Sequence, residues 1–470
     1  MKKILLLSFV FISTYTFSQE LRLLRGAISE NIKVNDSVNE TYSLYLPSTF
    51  EVAKAWPIIF VLDLDGKSKA SVSMLMSAAE KEGYILASSD NVNDSLSISE
   101  NVLVANRMFN SVINTVPIAA NRTYTAGFGS GAMFASILPT FIKEIKGVVS
   151  IGAPIGNVEI LNSKQTFQFV GIVSRSDYNF RSMLNTREIL NKLKFPNELL
   201  VFDSDKVLPN APIIANAFRM LTLTSMAKGE VARDDSLITE SYNMFMGKAS
   251  SFVLDEKPIL AMYLLSDMER LFDSMVDLDS LKTSKKVLRR STSFKKANRS
   301  QNSYFLQESF LKEDYNYYLE EDIISYNYAN LGWWNFQMEG LLKLDESAVL
   351  YERQMASRLR RYVNAMISDN IDFLSADKEI DLEAMNLLHM IKTITAPGEY
   401  ESYLKVISIS AKMEDYGTAL FYLEELLKKG YANKAELYTL EHTALLRITP
   451  EFNLLVEKYL KDARYEIIEQ

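Results

Sequence analysis

The spacing of apolar and polar residues divides the chain into two parts. From Glu40 to about Lys228, short apolar runs that predict β-strands alternate with longer segments of helical spacing. Pro57–Leu62 is apolar throughout, which is typical of a strand buried on both faces. Further strands are predicted at 41–46, 83–87, 147–151, 167–172 and 199–202. Strands separated by helices of this length predict βαβ units and a mostly parallel sheet, so the expected fold class is α/β.

Beyond Lys228 the strand pattern stops and only helical spacing remains. Helices are predicted at 252–275, 303–320, 348–374, 383–394, 400–412, 416–430 and 435–447. The basic segment Lys285–Lys296 lies between the first two of these helices. We interpret it as a solvated loop or helix face in preference to an anion-binding site, since runs of charge are usually solvated.

One helical hairpin is more distinctive than the others. Ala411–Leu420 and its continuation to Gly430 combine an alanine-bearing helix, an acidic-aromatic turn and a second helix ending at glycine. This pattern resembles a tetratricopeptide hairpin, although a period of about 34 residues cannot be followed over several copies. We therefore predict an α/β domain at 19–228, a helical linker region at 229–302 and an α-helical, tetratricopeptide-like domain at 303–470.

Composition excludes several kinds of function. The 470-residue chain has a net charge of −8, which gives no basic footprint for nucleic acid. Cysteine is absent, so disulfides, thiol nucleophiles and thiolate metal sites are excluded. Histidine occurs only at His389 and His442, so we do not expect a zinc centre built from histidines. We predict neither a metal nor a cofactor.

The N-terminus has the composition of a secretory signal peptide. Two lysines precede the apolar run Ile4–Ile12, and small residues precede Gln19. The run is shorter than the ~20 residues that a membrane-spanning helix needs. Residues 1–18 are therefore predicted to be removed, and the protein is expected to be exported to the periplasm or outside the cell, without a membrane span.

A strand, a glycine-rich turn and a helix are predicted within Thr123–Ala135. This is the order of elements in a nucleophile elbow, where Gly-x-Ser-x-Gly presents a catalytic serine. The flanking positions must be small because the turn is tight. The glycines of Gly127–Gly131 place Gly129 at the nucleophile position, whereas a frame centred on Ser130 puts the bulky Phe128 at a flank.

Two later segments complete a family likeness. Gly171–Phe180 reads as a strand end followed by an acidic loop, and Phe202–Pro209 contains an Asp-Ser-Asp-Lys sequence before a proline. With the elbow, they resemble α/β-hydrolases of the secreted esterase and polyhydroxyalkanoate-depolymerase-like type over roughly Glu40–Lys228. The resemblance implies a catalytic acid near Asp177.

The same resemblance implies that the catalytic residues have changed. Relatives carry Phe-x-Gly-x-His-x-Trp-Pro where this chain has Lys206 at the base position and Leu208 in place of tryptophan. The loop Asp63–Gly66 stands where relatives keep an oxyanion-hole segment, and its Asp65 would repel developing negative charge. Gly129, Asp177 and Lys206 are thus the predicted positions of a degenerate triad. Asp177 can equally be a residue that caps the turn after a strand.

A serine hydrolase also needs a base to take the proton of the serine hydroxyl, and this base is usually histidine. Residues 19–228 contain no histidine. Both histidines fall in predicted helices further on, where His389 is expected to be a buried structural residue and His442 a surface or capping residue. The alternative nucleophile is Ser130, with Lys206 as a desolvated base.

The sequence therefore favours an exported α/β-hydrolase-like binding module that is not catalytic. The alternative is an active serine esterase that uses Ser130 and an unrecognised base. A protein or peptide on the helical domain and a small ligand in the hydrolase-like cleft are the candidate partners. The aromatic stretch from Tyr315 to Phe336, including Trp333 and Trp334, is interpreted as core packing, with a carbohydrate or peptide platform as its alternative.

Overall fold

The computed structural model describes residues 23–204, 208–461 and 463. The predicted signal peptide at 1–18 and the predicted base position, Lys206, lie outside the described residues.

The described residues form an eight-stranded sheet. Its strands are β1 (Ile28–Lys33), β2 (Thr41–Tyr45), β3 (Trp56–Leu62), β4 (Ile85–Ser89), β5 (Ile118–Phe128), β6 (Ile145–Ile151), β7 (Gln168–Ser174) and β8 (Asn197–Phe202). The strand order is β1-β2-β4-β3-β5-β6-β7-β8. β3 pairs in parallel with β4 and β5, and β5 pairs in parallel with β6, whereas β2 is antiparallel to β1 and β4. The strands at the centre are apolar and buried, as parallel strands covered on both faces should be.

Five helices alternate with these strands. They are α1 (Ser68–Glu82), α2 (Ile98–Thr115), α3 (Gly129–Phe141), α4 (Phe180–Lys192) and α5 (Ala211–Ala227). Local sequence sets their ends: Ser97 and Glu100 form a reciprocal capping box at the start of α2. Gly83 takes the left-handed conformation that ends α1. A mostly parallel sheet flanked by helices confirms the α/β fold class predicted from the sequence.

The rest of the described chain is helical. Its α-helices are α6 (Asp235–Leu254), α7 (Pro258–Leu271), α8 (Asp279–Arg290), α9 (Thr292–Ser325), α10 (Leu331–Asp345), α11 (Leu350–Ser375), α12 (Leu382–Thr395), α13 (Tyr400–Lys412), α14 (Tyr416–Lys428), α15 (Lys434–Leu437) and α16 (Pro450–Leu460). Short 3-10 turns occur at Tyr328–Asn330 and Leu446–Ile448. None of the helices in the described chain is long and apolar enough to cross a membrane.

Three of the predicted helices have different bounds. The helix predicted at 252–275 is two helices, because the chain turns at Glu256, which has a φ of 56°. The helix predicted at 303–320 is part of the 34-residue α9. The helix predicted at 435–447 is wrong, since only the four-residue α15 and a 3-10 turn occupy that segment.

The chain divides into two compact units. One contains the described residues up to Ile151 together with Ile155–Val170 and Asn210–Ser225. The other contains Gly152–Pro154, the described part of Gly171–Pro209 and the residues from Met226 onwards. The ends of β7 and β8 thus belong to the same unit as helices α6 to α16. The domain bounds 19–228, 229–302 and 303–470 stay a prediction.

Two apolar cores lie among the described residues of the second unit, which we call the helical unit. One lies among α9 to α12 and includes Trp334, Met355 and Leu359, all fully buried. The other lies among α12 to α16 and includes the predicted hairpin, now α13 and α14. Helix α9 also contacts α7, since Gln301 donates to the Tyr263 hydroxyl at 3.1 Å.

Candidate functional site

The predicted elbow region folds as a strand, a tight turn and a helix. β5 ends at Phe128, which is extended with φ −120° and ψ 137°, and α3 begins at the next residue. That residue, Gly129, has a φ of 50°, in the region that residues with a Cβ rarely adopt. A sharp strand-to-helix turn with one strained residue is the geometry of a nucleophile elbow.

The three glycines of the turn differ in the space around them. A Cβ on Gly127 would lie 2.5 Å from the carbonyl carbon of Gly131. A Cβ on Gly131 would overlap the carbonyl oxygen of Leu62 in β3. A Cβ on Gly129 would have no atom within 4 Å. The outer positions therefore require glycine because backbones approach closely, whereas the middle position has room for a side chain.

Ser130 lies in the first turn of α3 and is exposed. Its hydroxyl has no hydrogen-bond partner among the described residues. A serine without a base beside it keeps its proton and is a weak nucleophile. Because Lys206 lies outside the described residues, the Ser130–Lys206 pair stays a prediction.

The loop at Asp63–Gly66 follows directly from β3, at the level of the elbow. Leu62 is paired with Gly127 across the parallel β3–β5 ladder, so the loop and the turn leave the sheet side by side. The Asp65 side chain is exposed and forms an ion pair with Lys67 at 2.8 Å. Asp63 accepts a hydrogen bond from Ser71 at 2.7 Å. These carboxylates make the loop acidic, which is unfavourable for an oxyanion.

Asp177 lies between β7 and α4 and is buried, with 2% of its surface exposed. Its Oδ1 accepts the backbone N–H of Asn179 at 2.8 Å, an Asx turn at the start of the helix. Burial raises the pKa of the Asp177 carboxyl, an effect that the Asn179 hydrogen bond and the charge of Arg361 oppose. Asp177 therefore makes the contacts expected of a residue that caps the turn after a strand.

The residue that follows β8, Asp203, takes part in an ion pair that the sequence did not predict. The guanidinium of Arg175 donates through Nε to Asp203 Oδ1 at 2.6 Å and through Nη2 to Oδ2 at 3.0 Å. Arg175 is 2% exposed, so its charge depends on this partner. Gln354 of α11 adds a third donor, to Oδ1 at 3.0 Å.

Helix α11 makes a second contact in this region, with the residue that follows β7. Arg358 donates to the carbonyl oxygen of Arg175 at 2.6 Å and forms a buried ion pair with Glu308 of α9 at 2.7 Å. Glu308 and Arg358 are 0% and 2% exposed. Arg175 and Asp203, which follow β7 and β8, are therefore held by contacts with α11, and α11 is in turn paired with α9.

A cavity of about 550 Å³ lies against α11. It is lined by polar side chains and one leucine: Ser176, Asp203, Ser204, Asp345, Leu350, Arg353, Gln354, Ser357, Arg360 and Arg361. Sequence reasoning missed this cluster. Its signal was available, because residues 353, 357, 360 and 361 share one face of the helix predicted at 348–374.

The two histidines lie in the helical unit and have different surroundings. His389 in α12 is 8% exposed, and its ring Nδ1 is 3.4 Å from the Ser402 hydroxyl. Burial and the charges of Lys405 and Lys392 lower the pKa of His389 to about 4. Its prediction as a buried residue is confirmed. His442 is exposed, as predicted for a surface residue. The prediction that it lies in a helix is wrong, since it has a φ of 61° in a turn.

The aromatic stretch is partly core and partly surface. Tyr315 and Trp334 are 1% and 0% exposed, and Trp334 donates its indole N–H to buried Asp322 at 2.8 Å. Tyr317 and Phe336 are 60% and 68% exposed. Core packing is therefore confirmed for the inner members, while the outer ones stay available for contacts. Among the described residues no group of three or more His, Asp or Glu side chains is placed to hold a metal ion.

No protein-family model matches the chain, and no curated protein matches it. Solved structures that match include esterases, a dienelactone hydrolase and a dipeptidyl aminopeptidase, all of low identity. Dienelactone hydrolase from Anabaena variabilis is 14% identical, with 42% of this chain and 96% of that chain covered and a TM-score of 0.32. Esterase 2 from Thermogutta terrifontis is 11% identical, with 44% and 96% covered and a TM-score of 0.34. A chain described as a dipeptidyl aminopeptidase IV from Bacteroides ovatus is 13% identical, with 42% and 35% covered and a TM-score of 0.32.

Proposed function

We propose that this protein is a non-catalytic, α/β-hydrolase-like protein that acts as a binding module. The observation that carries the proposal is Gly129, which occupies the strained middle position of a turn whose two outer glycines leave no room for a Cβ. An elbow of this shape presents its middle residue to the substrate. Glycine offers no hydroxyl there, so no acyl-enzyme can form at that position.

The absence of a general base supports the same proposal. Residues 19–228 contain no histidine, and the buried His389 has Ser402 as its neighbour. Proton transfer by a positioned base is worth roughly 10²–10⁴-fold in rate. A chain that lacks both the nucleophile and the base loses the two groups that act as a unit in the catalytic triad.

The contacts made by the carboxylates after β7 and β8 also support the proposal. Asp177 caps a turn, and Asp203 neutralises the buried Arg175. A catalytic acid orients a histidine, whereas these carboxylates satisfy a backbone N–H and a guanidinium. Their roles in this chain are those of structural residues.

The test is hydrolysis of an activated ester by the purified protein, together with labelling by a fluorophosphonate probe. We expect no rate above that of a matched background and no labelling. Gly129→Ser alone should stay inactive, because a hydroxyl without a base is a poor nucleophile. A rate that disappears in Ser130→Ala would instead establish the alternative, an active serine esterase.

For the binding role, we propose a protein or peptide partner on the helical unit. A second cavity, of about 660 Å³, lies between the start of α10, α12 and α14 and is lined by Met390, Phe421 and Tyr422, with the carboxylates of Glu383 and Asp415 at its side. Phe421 is 59% exposed. Stacked helix pairs commonly present concave surfaces of this kind to peptides.

Phe421→Ser in the full chain should reduce capture of any partner found in an exported extract. Leu254→Ser is the matched control, because Leu254 is 82% exposed on α6, away from this cavity's lining. Equal capture by both variants would remove the α12–α14 surface from the proposal.

A further inference from the structure

One face of α11 forms the wall of the 550 Å³ cavity. Leu350, Arg353, Ser357 and Arg360 follow one another at helical spacing, and Gln354 and Arg361 lie beside them. The adjacent face of the same helix carries Met355, Leu359 and Val363, which are fully buried in the apolar core. The core fixes the rotation of the helix, so the polar face is held in place rather than free to turn away.

The charges around the cavity do not cancel. Arg360 forms an ion pair with Asp345, and Asp203 is paired with Arg175. Arg353 differs from these residues. Its Nη1 donates to the carbonyl oxygen of Ser347, and its guanidinium has no carboxylate partner among the described residues.

The remaining lining groups suit an oxygen-rich anion. Ser176 and Ser357 contribute hydroxyls, and Gln354 contributes an amide that is 5% exposed. Guanidinium groups match carboxylate and phosphate in shape and charge, because their donors form a planar fork. A volume of 550 Å³ is within the roughly 300–1,000 Å³ that small-molecule sites usually have.

We propose that this cavity binds a small molecule through a carboxylate or phosphate group, with Arg353 as the principal charged contact. Ser357 and Arg360 lie on the same face and donate to the same anion. The inference rests on the proposed binding function and names the chemical class of one ligand. It assigns the ligand to a cavity lined by α11 and by Ser176, Asp203 and Ser204, which lie just after β7 and β8.

The test is isothermal titration calorimetry on the full-length purified protein in a phosphate-free buffer. Glycerol 3-phosphate and citrate serve as the phosphate and carboxylate probes, and glycerol as the neutral control. We expect saturable binding of at least one anion and none of glycerol. Binding of only the first probe identifies a phosphate site, and binding of only the second a carboxylate site.

Arg353→Gln should weaken this binding by roughly 10- to 100-fold, the usual loss for a charge-assisted hydrogen bond. Arg289→Gln is the matched control, because it removes the same charge from an exposed position on α8. Its affinity should stay within about twofold of the wild type. Ser357→Leu leaves every charge in place, removes a hydroxyl donor and puts a larger apolar side chain against the anion, so it should also weaken binding.

Absence of saturable binding for both anions at about 10 mM would overturn the inference. Equal affinity in Arg353→Gln and the wild type, or an equal loss in Arg289→Gln, would overturn it too. Should Arg353→Gln fail to fold, Ser357→Leu decides, and unchanged binding in that variant refutes the site. Ester hydrolysis is measured separately, so an active enzyme that still binds the anion contradicts only the proposed function.

Discussion

Arg175 and Asp203 join the ends of β7 and β8 through a two-point ion pair, with N···O distances of 2.6 and 3.0 Å. The backbone N–H of Arg175 also donates to the carbonyl oxygen of Phe202 at 2.9 Å. The pair therefore continues the β-ladder beyond its last hydrogen bond. Because the arginine is buried, the carboxylate is needed to offset the cost of removing its charge from water.

Asp203→Ala should lower the free energy of unfolding by about 3–5 kcal/mol, since it leaves a buried guanidinium without its partner. Lys67→Ala is the control, because the Lys67–Asp65 pair is exposed and its loss should change the stability far less. Urea denaturation followed by circular dichroism measures both. A loss of under 1 kcal/mol for Asp203→Ala would mean that Arg175 finds other partners.

The glycines of the elbow should respond differently to substitution. Gly131→Ala should cost about 3 kcal/mol, because its Cβ would overlap the Leu62 carbonyl oxygen. Gly129→Ser should cost only about 1–2 kcal/mol, the strain of a positive φ, since the space around it is open. Gly247→Ala, in the interior of α6 with no atom near its Cβ, should instead stabilise by about 0.5–1 kcal/mol. Thermal melts of the three variants test this order, and a Gly129→Ser variant as unstable as Gly131→Ala contradicts it.

Asp322 should be a stability residue of the helical unit. It is 2% exposed and accepts hydrogen bonds from Trp334 at 2.8 Å, Asn330 at 2.7 Å and Asn327 at 3.0 Å. Asp322→Ala leaves the buried indole N–H unsatisfied, so we expect a loss of about 3 kcal/mol and a shift in tryptophan fluorescence.

The control for this change is Asn335→Ala. Asn335 is exposed in α10, and its side-chain amide donates to Glu339 at 2.9 Å. Its removal should change stability by less than about 0.5 kcal/mol. Equal effects of the two substitutions would mean that the Asp322 contacts are not maintained in solution.

His389 should make the protein less stable as the pH falls from 6.5 to 4. The unfolded chain binds a proton on this histidine near pH 6.5, whereas burial lowers the pKa of the folded residue to about 4. Above pH 6.5 His389 is neutral in both the folded and the unfolded chain, so its protonation does not reduce the stability. Below pH 6.5 protonation of the unfolded chain lowers the free energy of unfolding by up to roughly 3 kcal/mol.

The comparison is between the wild type, His389→Gln and the control His442→Gln, each unfolded in urea at several pH values. The difference in stability between the wild type and His389→Gln should change across the pH 6.5–4 window. His442 is exposed, so its substitution controls for the loss of a histidine side chain at the surface. A constant difference between the wild type and His389→Gln would show that His389 titrates normally in the folded protein.

Local patterns in the sequence were sufficient for most of the sheet and for the elbow. The apolar run of β3 indicates a strand buried on both faces. The glycines of Gly127–Gly131 indicate a turn where backbones approach closely. The segment at 435–447 has helical spacing but little helix. Tertiary packing against α13 and α16 decides its conformation, which periodicity alone does not register.

The cluster at the strand ends could not be predicted, because it depends on pairs that are distant in the chain. Gln354 contacts Asp203 across 151 positions, and Arg358 contacts Arg175 across 183. In the sequence alone, each of these polar or charged residues is typical of an ordinary surface position. Only the fold shows that Arg175 and Arg358 are buried and that their partners come from other helices.

Helix α9 connects contacts that lie far apart within the helical unit. Gln301 bonds to Tyr263 of α7, Glu308 to Arg358 of α11, and Asp322 to Trp334 of α10. The first and last of these contacts are about 30 Å apart along the helix axis, at 1.5 Å per residue. Unfolding of α9 as a whole removes support from three neighbours at once, so the amides of α7, α10 and α11 should exchange with deuterium in a single cooperative step rather than helix by helix.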